Sequence, residues 1–210
     1  MSYVITVGRE FGSGGRELAK KVSELLGYRY IDKELLELAS SESGYSKELF
    51  EEADEKLKFM FGDGVGASAN AIMFSNFYNY QDAPTYENLY LKKSETIKRL
   101  ALSEDCVIVG RCANYVLREY DNVFSIFIYC SDMDKKVARV GGRHPEIPEK
   151  NLVGHIKKTD KKRANYHNYY TDQTWGDNKN YDICIDVAYF GVDKAAEVIV
   201  SALKAKFDIK

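Results

Sequence analysis

Cysteine is sparse in this sequence, neither charge sign dominates, and no long apolar run occurs. Each shortage excludes a class of protein. The four cysteines, Cys106, Cys112, Cys130 and Cys184, are scattered, and none has a cysteine or histidine nearby at ligand spacing. That argues against a structural metal site and against a disulfide framework. Three of them sit in or beside apolar stretches, which suits buried small hydrophobes in a reducing compartment. Lys and Arg number 30 against 32 Asp and Glu, a net charge of −2. Nothing in that balance argues for a nucleic-acid partner. No window approaches the roughly 20 apolar residues that span a bilayer, so no membrane partner is expected. The first residues lack a basic segment followed by an apolar region and a cleavage site, and the expected location is the cytoplasm. The 210 residues are enough for one domain with a sizeable core.

A further absence concerns chemistry. No Lys-Ser or Lys-Thr pair closes the glycine-rich turn near the start of the chain, although the usual phosphate-loop signature is G-x-x-x-x-G-K-[ST]. The context of the turn nevertheless suits a phosphate. Val4-Ile5-Thr6-Val7 reads as a strand, and Gly8-Arg9-Glu10-Phe11-Gly12-Ser13-Gly14-Gly15-Arg16-Glu17 follows. A helical pattern then puts Leu18, Val22, Leu25 and Leu26 on one face. Glycines let backbone N–H groups converge on an anion, and the helix N-terminus adds partial positive charge. Arg16 stands where a cation would touch outer phosphates. The competing reading is a tight strand-to-helix connection and nothing more. Two arginines and the small run Ser13-Gly14-Gly15 favour function.

Further along, Gly27 reads as a helix C-cap, and a short strand ends at Asp32. That aspartate either caps the next helix or faces the same crevice as the glycine loop. Helical patterns cover 33–40, 41–60 and 87–103. Between the last two, 61–86 holds glycines and aromatics, and reads either as a cover for a ligand or as a pinned connection. Cys106-Val107-Ile108-Val109 suits a central parallel strand and ends in Gly110-Arg111, where strand ends meet ligands. Arg111 would grip an anion bidentately; otherwise it pairs with a surface carboxylate. After the strand from Val123 to Cys130 comes a helix with Lys135, Lys136, Arg139 and Arg143, which Gly141-Gly142 is expected to break. Residues 149–170 are polar and basic with a tyrosine-rich end. They read as a helical pair closing over a substrate, or as a solvated charged face. His144, His155 and His167 in this region read as surface groups. A last strand, Tyr181 to Asp186, precedes a helix with Ala195, Val198, Ile199, Ala202 and Leu203 as its buried stripe. Strands alternating with helices specify a parallel sheet covered on both faces.

A glycine cradle, Arg16, Asp32, Arg111 and a basic flap with Arg139, Arg143 and Arg163 suit phosphoryl transfer. That reaction needs charge neutralisation and positioning more than proton chemistry, and a closing flap excludes water. The residues point to an ATP-dependent phosphotransferase with a small anionic acceptor.

Here the chain resembles the cytidylate kinase-like group of P-loop nucleoside monophosphate kinases. Arg9-Glu10-Phe11-Gly12-Ser13-Gly14-Gly15-Arg16, Tyr30-Ile31-Asp32, Val109-Gly110-Arg111, Asp160-Lys161-Lys162-Arg163 and Tyr181 to Asp186 carry the resemblance. It implies an α/β fold, a P-loop NTPase-like three-layer sandwich with a five-stranded parallel sheet. The core would be 1–32, 87–140 and 181–210, with an NMP-binding insertion at about 33–86 and a short helical lid at about 141–172, in one domain. It implies transfer of the ATP γ-phosphate to CMP or dCMP with Mg2+. Gly12, Ser13, Gly14, Gly15, Arg16 and Glu17 would hold ATP. Asp32, Gly110, Arg111 and Arg143 would meet the acceptor. Arg16, Arg139, Asp160 and Arg163 would act in catalysis, and Ser13 is the candidate magnesium ligand. The sequence departs from the family where Gly15 replaces the loop lysine, and where Lys33-Glu34-Leu35-Leu36 replaces the S-G-A-x-Y-R run. These departures keep a second expectation open, a nucleotide-binding sensor without efficient transfer. A third, weaker one is nucleic-acid binding through the 157–163 cluster. A homo-oligomer is left open.

Overall fold

The computed structural model describes residues 2–60 and 85–209. The segment 61–84, and with it most of the stretch read as a cover or connection, lies outside the described residues.

The β-branched runs become five parallel strands: β1 (Val4–Arg9), β2 (Arg29–Ile31), β3 (Cys106–Val109), β4 (Val123–Tyr129) and β5 (Ile183–Asp186), in the order β2-β3-β1-β4-β5. Register is set around β1, where Val4 lies opposite Cys106 on one side and Val123 on the other. Eight α-helices are described: α1 (Gly15–Leu26), α2 (Glu34–Ser43), α3 (Lys47–Met60), α4 (Tyr86–Ser103), α5 (Ala113–Val116), α6 (Met133–Arg143), α7 (Glu149–Thr171) and α8 (Val187–Phe207). The chain builds β2 and β3 on one side of β1, then β4 and β5 on the other. Connections leave in opposite directions beside the carboxyl end of β1, where such a sheet opens a crevice.

Strand alternation divides the core. Ile5, Val7, Val107, Val109, Ile126 and Ile128 point to the face covered by α1 and α8, where Leu18, Val22, Ile199 and Leu203 meet them. Val4, Cys106 and Ile108 point to the other face, against Leu35, Ile97, Leu100 and Leu117. Each fully buried aliphatic side chain contributes roughly 1.5–3 kcal/mol, so both faces are firmly covered. Cys106, Cys112 and Cys130 are buried, Cys184 is half-buried, and all four are free thiols.

Several expectations need correction. Leu25 is 52% exposed. The buried stripe of α1 runs through Gly15, Leu18, Ala19, Val22 and Ser23, and at about 100° per residue Leu25 falls roughly a quarter-turn from its centre. Val198 is displaced from the stripe of α8 for the same reason and is exposed. Gly141-Gly142 does not break α6, which continues to Arg143. A Cβ on Gly141 would sit 3.2 Å from Leu152 Cδ1, so the glycine permits close approach of α7. Pro145 follows the end of α6, where the residue before a proline leaves the helical region. Residues 149–170 lie in one helix of 23 residues, Glu149–Thr171, not a pair. Leu152 and Ile156 seat its first half on Val140. Near its other end Tyr170 stacks on Tyr90 of α4 with ring centroids 4.1 Å apart. His167 is buried rather than on the surface.

Candidate active site

β1 brings Arg9 to the carboxyl edge of the sheet, and the chain turns through Glu10–Gly14 into α1. Gly12 and Gly14 have φ of +77° and +86°, the left-handed region that glycine enters without strain. A Cβ on Gly12 would also lie 2.9 Å from Val140 Cγ2, so α6 rests directly on the loop.

Side chains from α6 and α7 grip this loop from outside. Phe11 N–H donates to Asp160 Oδ1 at 2.6 Å, and Arg163 Nη1 donates to the Arg9 carbonyl at 3.0 Å. Arg139 Nη1 donates to the Gly12 carbonyl at 2.6 Å. The buried Lys136 ammonium donates to Glu10 Oε2 and Asp160 Oδ2, each at 3.1 Å. Burial pushes the Asp160 carboxyl above the ordinary carboxylate range, against the opposing pull of Phe11 N–H and Lys136. Glu17 pairs with Arg143 and lies 3.9 Å from Arg139, which ties α1 to α6.

Two cavities open at this edge. The smaller, of about 90 Å³, is lined by Gly12, Gly14, Gly15, Arg139, Arg143 and their neighbours. The larger, of about 440 Å³, is lined by Asp32, Gly110, Arg111, Tyr166, Trp175 and Tyr181 among others. Arg9, Arg16 and Arg163 line both. Their shared wall is therefore made of guanidinium groups. Carboxylates approach this wall too: Asp32 Oδ2 lies 2.8 Å from Arg16 Nε and its Oδ1 3.9 Å from Arg9 Nη2, Glu10 lines the smaller cavity, and Asp160 offsets part of the charge on Arg163. Asp32 thus faces the crevice. The residue before α2 is Lys33, and no side chain caps that helix. Burial, with Arg163 next, presses the Arg9 pKa down to about 9, and Asp32 only partly offsets this. Burial likewise lowers Arg163. A cluster in which the arginines are only partly compensated by Asp32 and Asp160 favours an incoming anion.

The backbone beyond β3 supports the same edge. Gly110, Arg111 and Cys112 have φ of +80°, +60° and +57°. Two successive non-glycine residues in this region store strain of order 1–3 kcal/mol each. That conformation carries Arg111 to the larger cavity.

The predicted residues divide accordingly. Gly12, Gly14, Gly15 and Arg139 stand at the smaller cavity, Asp32, Gly110 and Arg111 at the larger, and Arg16 and Arg163 at both. Arg143, expected at the acceptor, lines the smaller cavity instead. Ser13, Glu17 and Asp160 line neither. Asp160 acts here on the loop backbone and on Lys136.

The model of the cytidylate kinase-like family matches residues 4–189. The chain belongs to the cytidylate kinase-like family. An uncharacterised protein from Eubacterium ventriosum is 30% identical, with a TM-score of 0.70 over 97% of this chain and 99% of that one. Shikimate kinase from Bacteroides thetaiotaomicron shares the fold at 12% identity, with a TM-score of 0.52 over 98% of each chain. No curated protein matches the sequence. The fold is that of the P-loop kinases, with the five-stranded parallel sheet expected of it.

Within that family frame, magnesium was expected at Ser13. The Ser13 hydroxyl does not fit it. The Ser13 hydroxyl is fully buried, donates to the Glu10 carbonyl at 2.9 Å and accepts from Gly15 N–H at 3.2 Å. It shapes the loop from behind. Among the described residues no cluster of three or more His, Cys, Asp or Glu could hold a metal ion. Among the described residues, too, no helix is long and apolar enough to cross a membrane.

Sequence reasoning missed two residues. Arg9 counts in the sequence as one of two arginines that favour a functional turn, with no role of its own; the signal for that role is a charged residue ending an apolar strand just before the glycines. Lys136 looked like any solvated helical lysine, and nothing near it in sequence distinguishes it.

Proposed function

We propose that this protein is an ATP-dependent phosphotransferase whose acceptor is itself a phosphorylated small molecule, CMP, dCMP or a related nucleotide. The observation that carries the reading is the wall of Arg9, Arg16 and Arg163 common to both cavities. Donor phosphates fit the glycine-lined side, and the acceptor phosphate fits the side of Arg111 and Asp32. In the transfer, an acceptor phosphate oxygen forms a bond to the γ-phosphorus as the β–γ bridging P–O bond breaks. The bond pair leaves on ADP. A dianionic acceptor phosphate has no proton to lose, so no general base is needed, and negative charge passes across the shared wall. Guanidinium groups fixed in advance at that point stabilise charge without reorganising. A cytoplasmic location accords with the need for ATP.

A coupled assay of ADP release, run over nucleoside monophosphates and small alcohols, tests the proposal. Turnover with a phosphorylated acceptor is expected. Folded protein that turns over none of the panel counts against it. A second reading is a nucleotide sensor, favoured by Gly15 at the lysine position and by the engaged Ser13 hydroxyl. Calorimetry separates the two, since tight ATP-analogue binding without turnover is the sensor's signature.

A further inference from the structure

We infer that Arg9 supplies from the strand end the cation that a phosphate loop ordinarily takes from its lysine, and that Arg9 and a side chain at position 15 exclude each other. This rests on the phosphotransferase reading and adds a residue and a constraint to it.

The inference stands on space. A Cβ built on Gly15 would lie 2.6 Å from Arg9 Cβ and 3.1 Å from Arg9 Cγ. Two carbons of a stem at the root of a strand have little room to move aside. No lysine fits at position 15 while Arg9 is present. Further out, a Cβ on Gly110 would lie 2.1 Å from Arg9 Nη1. The Arg9 side chain therefore runs beneath the start of α1 and ends against the backbone at the end of β3. Both glycines are the room through which it passes.

Its chemistry matches the route. Arg9 lines both cavities, at the boundary where charge would cross. Its side chain is 16% exposed, and the carboxylate within 4 Å of it among the described residues, Asp32 at 3.9 Å, lies beyond hydrogen-bond distance. Arg16 holds that carboxylate more closely. The buried Arg9 Nε has no hydrogen-bond partner. A buried cation so weakly compensated is costly unless an anion completes it. Arg9 is also anchored for the task, because Arg163 holds its carbonyl.

The test moves the cation. Arg9→Met keeps much of the stem and removes the charge. It should weaken binding of a non-hydrolysable ATP analogue by about tenfold or more and lower kcat by roughly 10²–10³-fold. Gly15→Lys in the presence of Arg9 should lose stability and analogue binding together. Arg9→Gly combined with Gly15→Lys should recover analogue affinity to within about tenfold of wild type. Folded Arg9→Met that binds and turns over like wild type overturns the inference and leaves the kinase reading intact. So does a double variant no better than Arg9→Gly alone. Wild-type protein that neither binds the analogue nor turns over overturns both. Should Arg9→Met not fold, melting temperatures decide the matter. Gly15→Ala should melt well below wild type, and adding Arg9→Gly should raise it. Gly15→Ala as stable as wild type overturns the inference.

Discussion

Arg16 Nε lies 2.8 Å from Asp32 Oδ2, and this pair joins the first turn of α1 to the chain just beyond β2. Asp32 is also the carboxylate that tempers Arg9. Replacing it leaves the guanidinium groups facing one another. Asp32→Asn should lower stability by about 1–2 kcal/mol at low salt, a value discounted because half of the Arg16 side chain is exposed. Inorganic phosphate should restore the loss by taking the place of the carboxylate. Thermal melts with and without phosphate check both halves of this expectation.

Lys136 offers a contrast, because its partners are carboxylates and it is nearly inaccessible to water. Lys136→Met would leave Glu10 and Asp160 with no cation between them. Removing one partner of a buried ionic cluster typically costs about 3–5 kcal/mol. The loop would also lose its hold on α7, since Asp160 carries Phe11 N–H. Urea unfolding should show the stability loss, and nucleotide affinity should fall with it.

These two residues mark what was legible in the sequence. The glycine turn was readable because strand, turn and helix signals are local and adjacent. So was the parallel sheet, because apolar strands alternate with amphipathic helices from end to end. Asp32 reads in the sequence as either cap or crevice, and its partner Arg16 decides for the crevice. Lys136 gave no signal, because Glu10 is 126 residues away and Asp160 is 24. Gly141-Gly142 misled because a close helix–helix approach uses the same residues as a helix break, and only Leu152 tells them apart. Ser13 misled because a loop hydroxyl looks the same in sequence whether it faces a ligand or the backbone behind it.

The left-handed run at Gly110, Arg111 and Cys112 sets stability against binding. Arg111→Gly removes a side chain that would hold the acceptor and relieves a strained backbone position. Relief of order 1 kcal/mol should partly or fully offset the lost contacts. The variant should therefore melt near wild type while KM for the acceptor rises by about 10–100-fold. Steady-state kinetics beside a melting curve distinguish this from simple damage to the fold.

His167 gives the protein an acid-sensitive point. Burial holds its pKa below the ordinary imidazole value of 6.5, so the folded state favours the neutral ring. Above pH 6.5 both states are neutral and this group adds no slope. Below pH 6.5 the unfolded chain takes up the proton first, so stability falls with pH until the folded-state pKa is passed. Urea midpoints measured at pH 7.5, 6.0 and 5.0 should drop more steeply for wild type than for His167→Asn. Equal slopes would mean that the ring titrates alike in both states.

Trp175 is the one tryptophan of the chain, and it lines the larger cavity. Its ring meets Phe127 edge-on, with centroids 5.2 Å apart, and Phe127 in turn packs on Tyr181 at 5.0 Å. Trp175 and Tyr181 of this aromatic corner line the larger cavity, the side proposed above for the acceptor. A ligand entering the larger cavity displaces water from beside the indole and should change its emission, whereas a ligand confined to the smaller cavity should not. Titration with CMP and with a non-hydrolysable ATP analogue therefore reports the two cavities separately. Arg111→Ala should shift the CMP midpoint upward without altering the final spectrum. An emission change driven by the ATP analogue alone would assign the triphosphate to the larger cavity and reverse the order of donor and acceptor along the guanidinium wall.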